Sequence, residues 1–582
     1  MSIGSVIVLL VALGVVALDI AVGSPWTGLP VVLGMAIVTL AAFEPVRQLL
    51  AARRKEAGLR GVLAFEAALI VALLGFLVAR ALVLVDMFAG PPTAAQLAAA
   101  ETYDLVFTTL AAIAGGLVVA PERTGRVLLN MSQRPAMMLI GSFAAMIALG
   151  SLLLTLPPAL TDLARVSWVD SLFTMASAVC VTGLTVNDVP TTYTTFGQAV
   201  ILAGIQLGGI GIMTIAALAL AFSNNTSLQS QLRYAAMLDA RTLADLRRIV
   251  VGIIAGTFVV EAIGAVALWL LLTGDPRIGE QSALWLAVFH AISAFCNAGF
   301  SLFPGNLTQF AGDFGVQAVI MTLIVLGGLG FPVMMELVRH AWRRLVRVVK
   351  RSAPAPARLS LTTRVVLSTS LALVVVGALA VFALEFSSAL APAAEHGLGR
   401  RALAAMFASV NARTAGFNTV DLAAMRDATL LVTCVLMFIG GSPASTAGGI
   451  KTTTFAAVAA ALRAELRGRE PELGGRALVP EVLRKAIAVL MMMIGVALVI
   501  TLLLTLTESQ PFLRLAFEAV SALATVGLST GITGSLTIAG KLIITAAMFL
   551  GRVGPFTIAL AVGEAPTAHQ RYRLAREDLP VG

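Results

Sequence analysis

The sequence predicts an all-α integral membrane protein: four pseudo-symmetric helix–pore loop–helix repeats around one pore, preceded by extra N-terminal transmembrane helices. Three observations predict it. Of the 582 residues, 58% are hydrophobic and only 12% charged, whereas soluble domains sit nearer half apolar and a quarter charged. Basic residues crowd into alternate loops. One short motif recurs four times at nearly constant spacing.

Composition comes first. Mean hydropathy is +0.94, and apolar runs at 5–22, 61–84 and 365–384 approach or exceed the ~18–20 residues that span a bilayer. No basic n-region precedes the first run and no convincing cleavage site follows it, so it reads as a helix, not a secretory signal. The formal charge is +9, and 29 of the 40 basic residues lie in six stretches, at 44–60, 122–134, 233–248, 339–364, 463–485 and 571–576. The loops at 90–104 and 185–197 hold none. That alternation is the positive-inside pattern, which puts both termini in the cytoplasm. It makes the charge an orientation signal, with membrane lipids and not nucleic acid as its counterpart. Cys180, Cys296 and Cys434 stand far apart and the four histidines show no HExxH spacing, so neither a disulfide framework nor a zinc site is expected.

The repeat is carried by 173–183 (FTMASAVCVTG), 289–299 (FHAISAFCNAG), 406–416 (MFASVNARTAG) and 517–527 (FEAVSALATVG). Aligned without gaps, each places a large apolar residue ten positions before a glycine, and the glycines lie 116, 117 and 111 residues apart. A long apolar run precedes each segment (136–156, 249–273, 362–386, 482–507) and another follows (198–222, 315–338, 428–462, 537–562). The boundaries drawn from this are 1–130 for N-terminal helices outside the repeat, then units at 131–235, 236–350, 351–475 and 476–582. Four helices are expected before the repeats, near 4–22, 29–45, 61–86 and 105–120.

A helix of about a dozen residues rises only ~18 Å, roughly half the hydrocarbon core. Each short segment must therefore enter and leave on the same side, and such backbone is tolerated at membrane depth only within protein or against a water-filled cavity. The returns end in Val181-Thr182-Gly183, Asn297-Ala298-Gly299, Thr414-Ala415-Gly416 and Thr525-Val526-Gly527. Glycine permits conformations that aim successive carbonyls the same way, and carbonyls around an axis can replace the hydration shell of K⁺. The triplets hold no carboxylate, which suits a weakly hydrated monovalent ion better than a divalent one. For a single glycine, close helix packing is an equally good account; four equivalent ones argue for a pore.

In the third unit, 429–439 supplies only eleven apolar residues before Gly440, Gly441, Ser442, Pro443, Ala444, Ser445, Thr446, Ala447, Gly448 and Gly449. This polar stretch either lies within the membrane facing the pathway or is a cytoplasmic loop. Lys451 follows it, and Arg552 interrupts the last apolar run. Buried positive charge in a membrane is costly and usually functional, although Lys451 is also placed to snorkel to the interface. Arg413 stands beside the third triplet, positioned to brace it. Glu518 reads as a charge at the N-terminus of the fourth pore helix. Glu261 and Glu385 have no partner assigned.

The fourfold unit with CVTGL, CNAGF, ARTAGF and ATVGL, together with GGSPASTAGGIKTTT, resembles the Trk/Ktr/HKT superfamily of K⁺ transporters over about residues 130–565. The resemblance is to its pore-forming subunits of the TrkH and KtrB type. The resemblance implies selectivity-filter roles for Gly183, Gly299, Gly416 and Gly527, and an intramembrane gating loop at 440–449 with Arg552 close by. A serine at the first filter glycine accompanies Na⁺ preference in the plant branch; Gly183 here favours K⁺. The resemblance further implies a homodimer in the bacterial inner membrane with a cytoplasmic, nucleotide-binding regulatory subunit of the TrkA/KtrA kind. Four leading helices in place of two depart from the TrkH pattern.

Other function classes fit less well. A Na⁺- or H⁺-coupled symporter also uses broken helices, but usually in two repeats. An enzyme would need acidic metal ligands or a nucleophile–base set, and none is evident. No organic cofactor is expected, because GxxxxGK[ST] is missing and GGIKTTT follows a loop, not a strand. The stretch 339–364, basic and without acidic residues, is a docking face for a partner or a contact for anionic lipid.

Overall fold

The computed structural model describes residues 135–161, 166–211, 243–279, 281–349, 358–387 and 397–554. The four expected N-terminal helices, both termini and residues 555–582 lie outside these. Among the described residues the chain is helical throughout, apart from one two-residue-per-strand hairpin (β1 Glu472–Leu473, β2 Arg476–Ala477).

A single order of elements recurs. The first unit runs α1 (Pro135–Leu154), α2 (Trp168–Val179), α3 (Thr195–Ile210). The second runs α4 (Leu243–Leu272), α5 (Ala283–Phe295), α6 (Phe314–Leu329) and then α7 (Phe331–Val349). The third has α8 (Leu361–Glu385), α9 (Leu398–Asn411), α10 (Asp427–Phe438) and α11 (Thr452–Glu465). The fourth has α12 (Pro480–Thr507), α13 (Phe512–Leu523) and α14 (Ile538–Val553). Within α4, Val251–Leu272 is long and apolar enough to cross a membrane, as are α8 and α12; α6 with α7 makes a fourth span if the pair is taken together.

The ends of these helices are written locally. Ser167 and Ser282 accept from the backbone N–H of Asp170 and Trp285, capping α2 and α5. Thr194, Asp313 and Thr537 cap α3, α6 and α14 in the same way, each satisfying an N–H that the helix leaves unpaired. Glu385 caps α10: its Oε1 accepts from the Arg426 N–H at 2.8 Å and from the Thr429 hydroxyl.

The expected second runs do not continue as single helices. α3, α6 and α14 each stop after sixteen residues, at Gly211, Gly330 and Gly554, with φ of +80°, +86° and +86°. A left-handed residue cannot continue a right-handed helix, and at Gly330 the chain turns by 107° into α7. The apolar character runs past each break, so hydropathy alone hides it. The third unit breaks at the equivalent level, after Phe438.

The helices close into a ring. Each short helix packs against the helix that follows the glycine triplet of the preceding unit: α5 on α3, α9 on α6, α13 on α10, and α2 on α14. Phe173, Phe289, Phe407 and Phe517, one from each short helix, are fully buried in the wall this makes. In the third unit the buried residue is Phe407, whereas Met406 is 41% exposed. The ungapped alignment at Met406 is therefore corrected: Phe407 matches Phe173, and the third segment is one residue shorter between phenylalanine and glycine.

Candidate ion-conducting site

The four triplets share one backbone shape. Val181, Asn297, Thr414 and Thr525 have φ of +56°, +60°, +68° and +50°, and Gly183, Gly299, Gly416 and Gly527 have +95°, +72°, +73° and +90°. Left-handed backbone is uncommon for any side chain and an outlier for β-branched ones, of which there are three here. Such strain costs on the order of 1–3 kcal/mol per residue and persists only where surroundings impose it.

The surroundings are visible. After each short helix the chain turns back onto the helix end. Thr182, Ala298 and Val526 donate their N–H to the carbonyls of Ser177, Ser293 and Ser521 at 2.8, 2.7 and 2.8 Å. The Ser177 and Ser521 hydroxyls accept from the N–H of Gly183 and Gly527 at 3.0 and 3.1 Å, and the Ser293 hydroxyl donates to the Phe300 carbonyl at 2.8 Å. In the shortened third unit Asn411 stands at the serine's place, and its longer side chain accepts from the Phe417 N–H at 3.1 Å. Sequence reasoning missed these four polar residues. The signal was there, four positions after the phenylalanine in every segment.

The glycines gather on one axis. A Cβ placed on Gly299 would stand 2.7 Å from the Gly416 Cα and 2.8 Å from the Ala415 carbonyl oxygen. One on Gly416 would stand 2.7 Å from the Val526 carbonyl and 3.3 Å from the Gly527 Cα. Gly527 faces the Thr182 carbonyl and Gly183 the Ala298 carbonyl in the same way. Side chains are thus excluded from the quartet, and backbone oxygens of all four middle residues point among the glycines. The remaining triplet residues are buried. On one side the quartet opens into a cavity of about 400 Å³, lined by the four glycines and by Asp188 and Asn306 among others.

Behind the quartet, small residues admit the helices. At Gly208, Gly327 and Gly551 any Cβ would collide with the Val179, Phe295 and Leu523 carbonyls. These glycines follow the quartet by 24 to 28 residues, and close packing accounts for them fully. Lys541 of α14 pairs with Asp170 of α2 at 2.7 Å, tying the last unit to the first.

Residues 440–451 fold back tightly beneath the quartet, opposite the cavity. Gly440 N–H donates to the Ile450 carbonyl at 3.0 Å and Ile450 N–H to the Phe438 carbonyl at 3.1 Å, closing the base of the loop. Its tip reaches the second unit: Ser442 and Thr446 donate N–H groups to the Gly328 and Gly327 carbonyls at 3.0 and 3.3 Å, and the Thr446 hydroxyl donates to the Phe295 carbonyl at 3.2 Å. Ser445 bonds within the loop to the Ser442 carbonyl, and Ala444 accepts from Phe331. A Cβ on Gly448 would stand 2.6 Å from the Ala524 carbonyl, so the loop touches the fourth pore helix, with Gly441, Pro443 and Gly449 completing its turns. Arg552 donates to the Thr446 carbonyl from one nitrogen and to the Gly208 carbonyl from another. Lys451 does not extend outward; it turns back to the Ala447 carbonyl at 2.7 Å.

Two other side chains, Arg413 and Glu518, are placed differently from expectation, and Glu261, to which the sequence assigns no partner, has one. Arg413 reaches the Ser370 and Gly440 carbonyls, each at 3.2 Å, bracing α8 against the loop's base and not the triplet itself. Glu518 sits in the middle of α13, because that helix begins at Phe512; it accepts from the Thr533 hydroxyl and steadies the chain beyond the fourth triplet. Glu261, buried in α4, accepts from Gln206 of α3 at 2.9 Å, with the Cys296 thiol 3.7 Å away. Among the described residues no cluster of three His, Cys, Asp or Glu could hold a metal.

A ring of left-handed backbone, with side chains excluded at its four glycines, between an open cavity and a packed loop defines a multi-pass membrane protein of the cation-pathway class. The chain belongs to the TrkH family of cation transport proteins, whose sequence model matches residues 109–569. It is 38% identical over 440 residues to the Ktr system potassium uptake protein B of Bacillus subtilis, covering 75% of this chain and 95% of that one. To the potassium/sodium uptake protein NtpJ of Enterococcus hirae it is 32% identical over 455 residues, covering 77% and 97%. The crystal structure of the potassium transporter TrkH from Vibrio parahaemolyticus shares the fold, with a TM-score of 0.58 at 18% identity over 85% of this chain and 97% of that one.

Proposed function

We propose that this protein takes up K⁺ across the cytoplasmic membrane, with the four triplets as its selectivity filter and 440–449 as its gate. The observation that carries the proposal is the quartet of left-handed triplets packed glycine to carbonyl around one axis. An ion entering the outer cavity exchanges its hydration shell for backbone oxygens supplied by all four units. The short helices add their C-terminal, partially negative ends. These oxygens carry no net charge, which favours a monovalent ion of low hydration energy. K⁺ is cargo here, and the chain needs no organic cofactor. Below the filter, the loop and Arg552 occupy the path, and conduction requires their displacement.

The four units at 131–235, 236–350, 351–475 and 476–582 each contribute one filter segment, and both termini lie in the cytoplasm. The name of the Bacillus subtilis relative supports K⁺ as the ion, and that of the Enterococcus hirae relative supports K⁺ together with Na⁺. A homodimer with a cytoplasmic nucleotide-binding subunit of the TrkA/KtrA kind completes the system, since the described residues contain no phosphate-binding loop of their own. Rescue of K⁺-limited growth, with K⁺, Rb⁺ and Na⁺ fluxes measured together, tests the proposal. Rescue with K⁺ and Rb⁺ far above Na⁺ supports it, and Gly183→Ser then lowers that ratio, since Gly183 has φ of +95° and faces the Ala298 carbonyl. Equal fluxes in the unmodified protein would refute it.

A further inference from the structure

α7 has no part in the conduction path just described. It leaves α6 at Gly330 through a bend of 107°, so an α6 that crosses the membrane sends α7 along the surface. Helical periodicity sorts its side chains into two faces. Met335, Val338, Trp342, Leu345 and Val348 share one and are 37%, 64%, 65%, 55% and 78% exposed. Arg339, Arg343 and Arg347, at successive i+4 steps, form an exposed stripe on the other, with His340 and Arg344 beside it. Glu336, the only carboxylate on α7, is already engaged: it accepts from the Ser360 N–H at 2.6 Å, the Ser360 hydroxyl at 2.7 Å and the Thr363 hydroxyl. Among the described residues the four arginines make no ion pair.

We propose that α7 is an interfacial helix. It seats Val338, Trp342, Leu345 and Val348 in the adjoining leaflet and gathers anionic phospholipid headgroups on Arg339, Arg343 and Arg347. Charge complementarity and continuity favour a bilayer over a protein partner. The arginine stripe borders the apolar face, as in helices that lie in the headgroup region, and Met335 on that face comes within 3.5 Å of the Cβ position of Gly252 in α4, beside the exposed Val251. Trp342 has the amphipathic ring that concentrates at the membrane–water boundary.

The anchor is joined to the loop beneath the filter. Phe331, the first residue of α7, donates its N–H to the Ala444 carbonyl at 3.1 Å, and a Cβ on Gly330 would collide with the Pro443 carbonyl. A leaflet that holds α7 therefore holds one wall of the loop. Assigning that leaflet to the cytoplasmic side, and the loop to gating, rests on the proposed function; the lipid contact does not.

The test uses the full-length protein in vesicles of phosphatidylcholine with and without phosphatidylglycerol. A fluorophore on Val338→Cys, against a background in which Cys434 is replaced, is exposed to brominated phosphatidylcholine. Strong quenching is expected, deepening when phosphatidylglycerol is added. Retention of phosphatidylglycerol by the purified protein is then compared with an R339Q/R343Q/R347Q variant. Each arginine is expected to contribute about fivefold, so the triple change weakens retention on the order of a hundredfold. An unquenched label, a label shielded from lipid by a bound soluble protein, or equal retention by a monodisperse triple variant overturns the proposal. Loss of retention with K⁺ flux intact leaves the transport proposal standing, whereas lost flux with quenching intact counts against transport alone.

Discussion

Ser521→Ala isolates the device that holds one glycine triplet in its strained form. Ser521 is fully buried, and its hydroxyl is the acceptor for the Gly527 N–H at 3.1 Å. Its carbonyl still receives the Val526 N–H at 2.8 Å in the variant, so the turn is weakened and not abolished. A buried N–H without an acceptor costs about 1–3 kcal/mol. The same turn holds Thr525 and Gly527 at φ of +50° and +90°, and Thr525 pays about 1–2 kcal/mol to be there. Removing the acceptor therefore favours relaxed backbone over the left-handed triplet by roughly 5- to 150-fold, taking about 1.4 kcal/mol as tenfold. Paired K⁺ and Na⁺ flux measurements in vesicles, with thermal unfolding in detergent as a control for folding, read this out. The K⁺/Na⁺ ratio should fall by about fivefold or more, while Ser368→Ala on the exposed side of α8 changes nothing. An unchanged ratio and unchanged unfolding in Ser521→Ala would show that the serine does not hold the filter.

Three further outcomes are expected. Deleting several residues within 440–449 should raise K⁺ flux, measured as ⁸⁶Rb⁺ uptake; unchanged flux in a folded protein counts against the gate. Arg552→Gln removes charged donors from the Thr446 and Gly208 carbonyls, each worth about 1.5–3 kcal/mol, so open-state flux should rise about tenfold or more; a fall would mean that Arg552 assists conduction. In the loop joining α4 to α5, the hydrogen bond from Arg277 holds the Asp275 carboxyl below its usual range. The stabilisation is present above the unfolded carboxylate pKa and is lost as pH falls through the lower folded value. It is small, because Arg277 is 37% exposed and solvent screens the pair. Asp275→Asn should lower the unfolding temperature slightly at pH 6, and by less as the medium is acidified toward pH 3; a difference that does not shrink on acidification contradicts the ion-pair account.

The helical fold, the short returning segments and the glycine ends were legible because each is a local signal repeated four times. A segment too short to span announces itself by length, and Gly183, Gly299, Gly416 and Gly527 by spacing. Other features depend on contacts that hydropathy does not encode. The stops at Gly211, Gly330 and Gly554 lie inside continuing apolar sequence, so only the left-handed backbone reveals them. Asn411 was hidden by an alignment that kept Met406 opposite Phe173; burial of Phe407 shifts the register and exposes the equivalence with Ser177. Lys451 and Arg413 illustrate a third difficulty. Both were recognisable as unusual charges, but which carbonyl each would reach depends on a fold-back of 440–451 that no periodicity specifies.

The most direct measurement is anomalous diffraction from crystals grown in Rb⁺. A Rb⁺ peak is expected on the axis of the quartet, surrounded by backbone oxygens from all four triplets and absent in crystals grown in Na⁺. A Rb⁺ peak held instead by carboxylates away from Gly183, Gly299, Gly416 and Gly527, in protein that still transports K⁺, would contradict it.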